Sequence, residues 1–181
     1  MGKKDYKYDI YRYYGRYKES IIERIKRPIG LKYTILFRKY NSTHNSLIRF
    51  YYKCRLHSLQ KKSFIQIPTT TKIGKGFYIG HSGSVIINPG SIIGSNCNIA
   101  SGVTIGQENR GKRKGTPTIG DSVWIGTNSV IVGTIKIGNN VLVAPLAYVN
   151  FDVPDNSIVI GSPGKIISND KATSDYINNK V

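Results

Sequence analysis

From Ile73 to Val149, aliphatic residues recur every six positions, and each is usually followed by a small residue: Ile73-Gly74, Ile79-Gly80, Ile93-Gly94, Ile99-Ala100, Ile105-Gly106, Ile119-Gly120, Ile125-Gly126, Ile137-Gly138 and Val143-Ala144. An amphipathic helix places apolar residues every three or four positions, and a hairpin strand alternates them. Six-residue spacing with turn residues between fits neither, and predicts a mainly β solenoid. Each hexapeptide forms one short parallel strand and a corner, three make a triangular turn, and the aliphatic side chains stack into ladders that fill the prism. Ile119 and Ile137 are 18 residues apart, as are Ile87 and Ile105, so each pair should stack on one wall. Glycine after the aliphatic residue has two physical readings: the corner leaves no room for a side chain, or it demands a dihedral that glycine adopts cheaply.

The phase holds through Ile119, Ile125, Ile131, Ile137, Val143 and Val149, but breaks twice before that. The interval Ile79 to Ile87 carries two extra residues around His81, and Ile105 to Ile119 carries eight more than one repeat. Insertions in a solenoid must leave the coil as loops, and such loops tend to form the working face. The expected organisation is a basic, Tyr-rich helical segment over 1–66, a solenoid over 67–167 with an excursion loop at 107–118, and a tail over 168–181.

Within the first segment, residues 17–26 read as a short amphipathic helix stopped by Pro28. Residues 31–40 and 45–60 read as two more, the last carrying Leu47, Ile48, Tyr51, Tyr52, Leu56 and Leu59 at helical spacing. Ten of the 13 tyrosines precede residue 53. We read these helices as a cap over the open end of the solenoid, which terminal repeats need. Tyrosines interleaved with Lys and Arg also suit contact with anionic lipid headgroups, phosphates or sugars, because the ring packs while the cation pairs.

At 181 residues the chain is one domain, or one with a small appendage. The formal charge of +17 is concentrated: residues 1–66 hold 17 Lys and Arg against 4 acids, and residues 67–181 hold 10 against 6. No helix-turn-helix, zinc-finger or single-strand-binding signature accompanies the cations, so a nucleic-acid module is not expected. Cys54 and Cys97 are too few and too far apart for a disulfide framework or a metal site, and point to a reducing compartment. No apolar stretch follows the basic start Met1-Gly2-Lys3-Lys4, and no segment is apolar enough to span a bilayer, so we read a cytoplasmic protein with a candidate contact to the inner face of the membrane through its basic segment.

The order Gly80-His81-Ser82-Gly83, Gly102-Val103-Thr104-Ile105-Gly106, a polar loop, Val123-Trp124-Ile125-Gly126, Val153-Pro154 and Gly161-Ser162-Pro163-Gly164-Lys165 resembles the hexapeptide-repeat acetyltransferases. Within these it is most similar to the serine acetyltransferase-like and capsular polysaccharide O-acetyltransferases. The resemblance implies a left-handed parallel β-helix, a homotrimer with a dimer of trimers as a further option, active sites in clefts between prisms, acetyl-CoA as donor, and no metal. By position in the family's motif His81 matches the catalytic histidine, while Gln107, Thr127 and Pro145 match places where the pantetheine arm lies along the coil. Lys165 is within the range expected for the adenosine phosphate, and Trp124 is read as lining the cleft.

Transfer from a thioester to a hydroxyl needs a base as the alcohol attacks, and imidazole is the side chain whose ordinary pKa suits that task near neutrality. His44 and His57 fall in the helical segment and are read as surface residues. Against serine acetyltransferase the chain departs at three places: an acidic residue before the histidine is here Gly80, its aspartate partner matches Gln66, and an Arg-His pair matches Gly115-Thr116. Serine carries a carboxylate and an ammonium, whereas a neutral sugar hydroxyl needs neither group met. The expected reaction is therefore acetyl transfer to a carbohydrate, with Gln66, Arg110, Lys112 and Thr116 on the acceptor side. Serine O-acetylation and a non-catalytic solenoid are the alternatives. Gly106 to Lys112 approaches a phosphate-binding P-loop in sequence, but Arg113 stands where Ser or Thr is needed and no helix follows.

Overall fold

The computed structural model describes residues 5–181, so the start Met1-Gly2-Lys3-Lys4 lies outside the described residues. Three parallel walls enclose one apolar prism. The first stacks the strands Ile65–Gln66, Val85–Ile87, Thr104–Gly106, Val130–Val132 and Tyr148–Val149. The second stacks Lys72–Ile73, Ile92–Ile93, Thr118–Ile119 and Lys136–Ile137. The third runs Tyr78–Ile79, Asn98–Ile99, Trp124–Ile125, Val141–Val143 and Ser157–Ile160, and is closed by the antiparallel strand Lys165–Ser168. The coil begins at Ile65, two residues before the expected boundary.

The ladders follow the sequence. Ile87 pairs with Ile105 and Ile119 with Ile137, as their spacing requires. Both phase breaks are absorbed where they were expected. Ile79 pairs with Ile99, a 20-residue turn that contains the loop around His81, and Ile105 pairs with Ile131, a 26-residue turn that contains the long excursion. That excursion is closed at its neck as a small hairpin: Glu108 N–H donates to Gly115 O at 3.0 Å and Gly115 N–H to Glu108 O at 2.9 Å. Its far side is fastened to the next turn, where Thr134 N–H donates to Arg113 O at 2.8 Å.

None of the repeated glycines needs the special dihedral, and crowding accounts for Gly74, Gly94, Gly120, Gly126 and Gly138 but not for Gly80, which has room for a β-carbon. A β-carbon on Gly120 would come within 2.7 Å of the Gly138 carbonyl oxygen, and one on Gly126 within 2.6 Å of the Pro145 nitrogen. The left-handed dihedral is needed two residues after the repeated small residue, where Gly76, Asn96, Ser122, Asn128 and Asn140 all turn with φ between 52° and 68°. Asparagine tolerates that region through its short polar side chain.

Four helices precede the coil: α1 (Tyr6–Tyr14), α2 (Ile21–Ile25), α3 (Ile29–Ser42) and α4 (Ser46–Ser63). The spacing of apolar residues did not predict α1. Tyr33 and Phe37 of α3 and Leu56 of α4 join the same buried cluster as Ile65, Ile67, Phe77 and Ile79, so these helices cover the first turn of the prism. The apolar pattern of α4 is only partly used. Leu56 is buried, whereas Leu47, Ile48 and Tyr51 remain exposed. The expected amphipathic helix around residues 17–26 shrinks to the five residues of α2, none of them buried, fixed by a capping box in which Ser20 and Glu23 exchange hydrogen bonds.

Candidate active site

His81 stands two residues beyond the strand Tyr78–Ile79, where the coil inserts its two extra residues. The strand beneath it is held by α1. The Tyr13 hydroxyl donates to Ile79 O at 2.7 Å and accepts from Ile79 N–H at 3.1 Å, and its ring packs on Tyr78 with centroids 4.2 Å apart. Burial pushes the Tyr13 phenol well above its ordinary pKa, so it remains a neutral donor. On the other side of the loop, Gly83 adopts φ +141° and donates its N–H to Ser63 O at 3.1 Å. Pinned at both ends, the loop leaves His81 and Ser82 exposed.

A cavity of about 410 Å³ joins His81 to Trp124 and Thr127, two turns further along the third wall. Its remaining lining includes residues the sequence did not single out. Arg12 is buried, donating from Nη1 to Asn178 O at 2.7 Å, from Nη2 to Asn98 Oδ1 and from Nε to Gly76 O at 3.4 Å. Loss of water around the guanidinium lowers its pKa from the ordinary value. Tyr176 packs on Trp124 with ring centroids 4.9 Å apart. Asp9, Arg12 and Tyr13 lie on one face of a helix, and that spacing was the available signal for Arg12. Six tyrosines among the first 17 residues obscured it.

Gln66 lines a different groove, of about 770 Å³, between the end of α4 and the first wall, with His57, Ile86, Asn88 and Gly106. Gln107 extends that wall: it accepts from Asn88 Nδ2 at 3.3 Å and donates to Asn109 Oδ1 at 2.6 Å. Thr116 lies against the second wall, its Oγ1 within 3.0 Å of a β-carbon built on Gly90. Arg110 and Lys112 are exposed at the tip of the excursion, and Arg113 Nε is 3.7 Å from Glu108 Oε2. Pro145 is exposed over Gly126, and Lys165 is exposed on the terminal antiparallel strand. Within one chain the fold thus gathers His81, Trp124 and Thr127 on one side and Gln66 with Gln107 on another, while Arg110, Lys112, Thr116, Pro145 and Lys165 line neither cavity.

Cys97 offers no nucleophile. It is buried in the coil, its thiol is 3.2 Å from Gly120 O, and burial pushes it up to about 12, far from thiolate formation near neutrality. Among the described residues no group of three His, Cys, Asp or Glu is placed to hold a metal ion. The chemistry on offer is an exposed imidazole beside a cavity with an aromatic wall.

A family profile described as bacterial transferase hexapeptide (six repeats) matches residues 116–150. Serine acetyltransferase of Bacillus subtilis (strain 168) is 36% identical over 121 residues, 66% of this chain and 56% of that protein. Serine acetyltransferase of Helicobacter pylori is 32% identical over 144 residues, 78% of this chain and 83% of that protein. Among solved structures, serine acetyltransferase from Neisseria gonorrhoeae shares the fold with a TM-score of 0.73 at 24% identity, covering 91% of this chain and 66% of that one. The soybean serine acetyltransferase apoenzyme gives a TM-score of 0.69 at 27% identity over 90% of this chain and 66% of that one. The chain therefore spans between about half and four fifths of the length of these relatives, and it belongs to the serine acetyltransferase family of hexapeptide-repeat transferases.

Proposed function

We propose that this protein is an O-acetyltransferase that moves acetyl from acetyl-CoA directly to an acceptor hydroxyl, with His81 as general base. The observation that carries the reading is the exposed imidazole at the two-residue break in the coil, on a loop anchored at its ends by Tyr13 and Gly83 and lining a cavity shared with Trp124 and Thr127. The imidazole takes the hydroxyl proton as the oxygen attacks the thioester carbonyl, backbone N–H groups near the loop steady the oxyanion, and the imidazolium returns the proton to the departing thiolate. No covalent intermediate is needed, in keeping with the buried, un-ionised Cys97. The resemblance assigns Gln107, Thr127 and Pro145 to the pantetheine arm, which needs the Gln107 side of one prism to face the Thr127 side of another, and the exposed Arg110, Lys112 and Lys165 are available to the phosphates of the donor or to an anionic acceptor. Exposed apolar positions on the outer walls, Ile86, Ile92 and Tyr148, suit the packing of three prisms, which would bring one chain's His81 towards a neighbour's wall and loop.

Of the two acceptors, serine is better supported than the carbohydrate expected from sequence, because the relatives named above are serine acetyltransferases. A carbohydrate hydroxyl is the second reading, favoured by the uncharged Gly80, Gln66 and Thr116. Thiol release from acetyl-CoA, compared across serine, free sugars, nucleotide sugars and isolated polysaccharide, separates the two. His81→Ala should lower turnover by about 10²- to 10⁴-fold with the fold intact. Near-normal turnover in that variant would end the assignment, and no thiol release with any acceptor would favour a non-catalytic solenoid.

A further inference from the structure

The helical region carries a feature that the reaction does not use and that is independent of it. Between Arg24 and Gln107 the chain contains no Asp or Glu, while residues 24–66 contain eleven Lys and Arg. The acids that precede this stretch are already engaged. Asp9 is held by the buried Arg38, Glu19 by Arg27 at 2.5 Å and 2.7 Å, Glu23 by Arg16 at 2.5 Å, and Asp5 is buried with an interaction of its own. Of the cations around α3 and α4, Arg27 is thus paired with Glu19, while among the described residues no carboxylate pairs with Lys32, Lys39, Arg55 or Lys62.

Those cations converge. A groove of about 480 Å³ between α3 and α4 is lined by Arg27, Lys32, Lys39, Arg55 and Lys62 together with Tyr51, whose hydroxyl accepts from Arg55 Nη1 at 2.7 Å. The elements that flank it also carry apolar side chains that no described residue covers. In α2, which ends two residues before Arg27, Ile21, Ile22 and Ile25 are 80%, 66% and 73% exposed, and at the start of α4 Leu47 and Phe50 are 79% and 66% exposed. The capping box makes α2 a formed turn that presents its isoleucines outward.

We propose that this surface docks the protein on an anionic lipid bilayer, with the α3/α4 groove taking lipid phosphates and the isoleucines of α2 entering the interfacial layer. Charge complementarity selects this occupant. A second copy of the same face would oppose cation to cation, and a nucleic acid would satisfy the cations but not the bared isoleucines. An anionic bilayer meets both, because interfacial binding adds apolar burial to attraction by acidic headgroups.

The test is sedimentation of the full chain with vesicles of phosphatidylcholine alone and of phosphatidylcholine with phosphatidylserine, at low and high salt. Binding is expected only to the anionic vesicles and should weaken as salt screens the surface. Arg55→Gln with Lys62→Gln should lower partitioning about thirtyfold, at about fivefold per cation. Ile22→Asp with Ile25→Asp should abolish it, with thermal unfolding and the acetyl-transfer rate unchanged, because both side chains are exposed. Equal binding to both vesicle types, or none to either, would overturn the proposal. So would an Ile22→Asp, Ile25→Asp variant that changes the mass of the assembly by light scattering yet still sediments with vesicles, since the face would then belong to a second copy. Retention on nucleic acid without retention on vesicles would overturn it equally.

Discussion

The coil and the helices that cover it are joined by different physics. Inside the coil, turn succeeds turn through identical apolar contacts: Ile79 on Ile99 on Ile125 on Val143, all essentially without solvent exposure. Along this ladder the interior position of one turn is equivalent to that of the next, even where the turns differ in length through their loops. The junction with the helices is instead a set of one-off polar contacts out of water. Arg38, 2% exposed, donates to Asp9 at 2.9 Å and 3.2 Å and to the carbonyls of Ile73 and Gly74, and Asp9 also accepts from Phe77 N–H at 2.9 Å. Burial pushes the Asp9 carboxyl above its ordinary pKa even with Arg38 beside it. Tyr33 adds a hydroxyl that donates to Ile67 O at 3.0 Å. A repeating interior tolerates insertion and slippage, whereas a junction of matched donors and acceptors admits one arrangement.

The largest effect expected from breaking this contrast is at the junction. Asp9→Ala strands the Arg38 guanidinium in the interior and should destabilise the protein by about 3–5 kcal/mol, measured by urea unfolding. Replacing both partners with apolar residues of similar size should recover most of that loss. Recovery would sharpen the view that the pair sets the docking geometry more than it adds stability. In the coil, Ile99→Ala should cost about 2–5 kcal/mol by transfer and cavity terms, and Ile125→Ala about the same, because the two sites are equivalent. A large difference between them would break the idea of interchangeable turns.

A smaller effect concerns Cys97. With its folded pKa at about 12 against an ordinary 9.0, the thiol's contribution to stability is fully present below pH 9 and is lost as the pH rises towards 12, because the unfolded thiol ionises first. Near pH 8 a thiol reagent should label the exposed Cys54 and spare Cys97 until the protein unfolds, and Cys97→Ala should flatten the alkaline loss of stability. The smallest effect should be at Ser20. Removing its cap with Ser20→Ala is worth about 0.5–2 kcal/mol to α2 locally and should barely move global unfolding, since α2 buries nothing.

The same contrast explains what could be read from sequence. A ladder is written in the chain as a period, so the walls, the stacking of Ile87 on Ile105 and both insertions were legible, and His81 was marked by the break it sits in. The junction leaves no period. Asp9 meets Arg38 across 29 residues of chain and Tyr13 meets Ile79 across 66, and a buried arginine is indistinguishable in sequence from its exposed neighbours. The apolar spacing of α4 misled for the opposite reason, because Leu47 and Ile48 keep helical register on a face that the described residues leave exposed. Charge was legible as a total, but that α3 and α4 gather it into one groove depended on their packing. Left-handed corners at Asn96, Ser122 and Asn140 were hidden because the more conspicuous glycines stand two residues earlier, where the constraint is space.

The last segment of the chain closes on the first helix. Arg12 donates to Asn178 O, Asn179 Nδ2 to Arg12 O at 3.4 Å, and Asn96 exchanges two 2.8 Å hydrogen bonds with Val181. During synthesis the ribosome delivers α1 long before residues 176–181 emerge, so the guanidinium of Arg12 must wait, incompletely satisfied, until that segment has been made. The seat of α1 against the third wall, and with it one side of the cavity beside His81, thus settles only once residues 176–181 are in place.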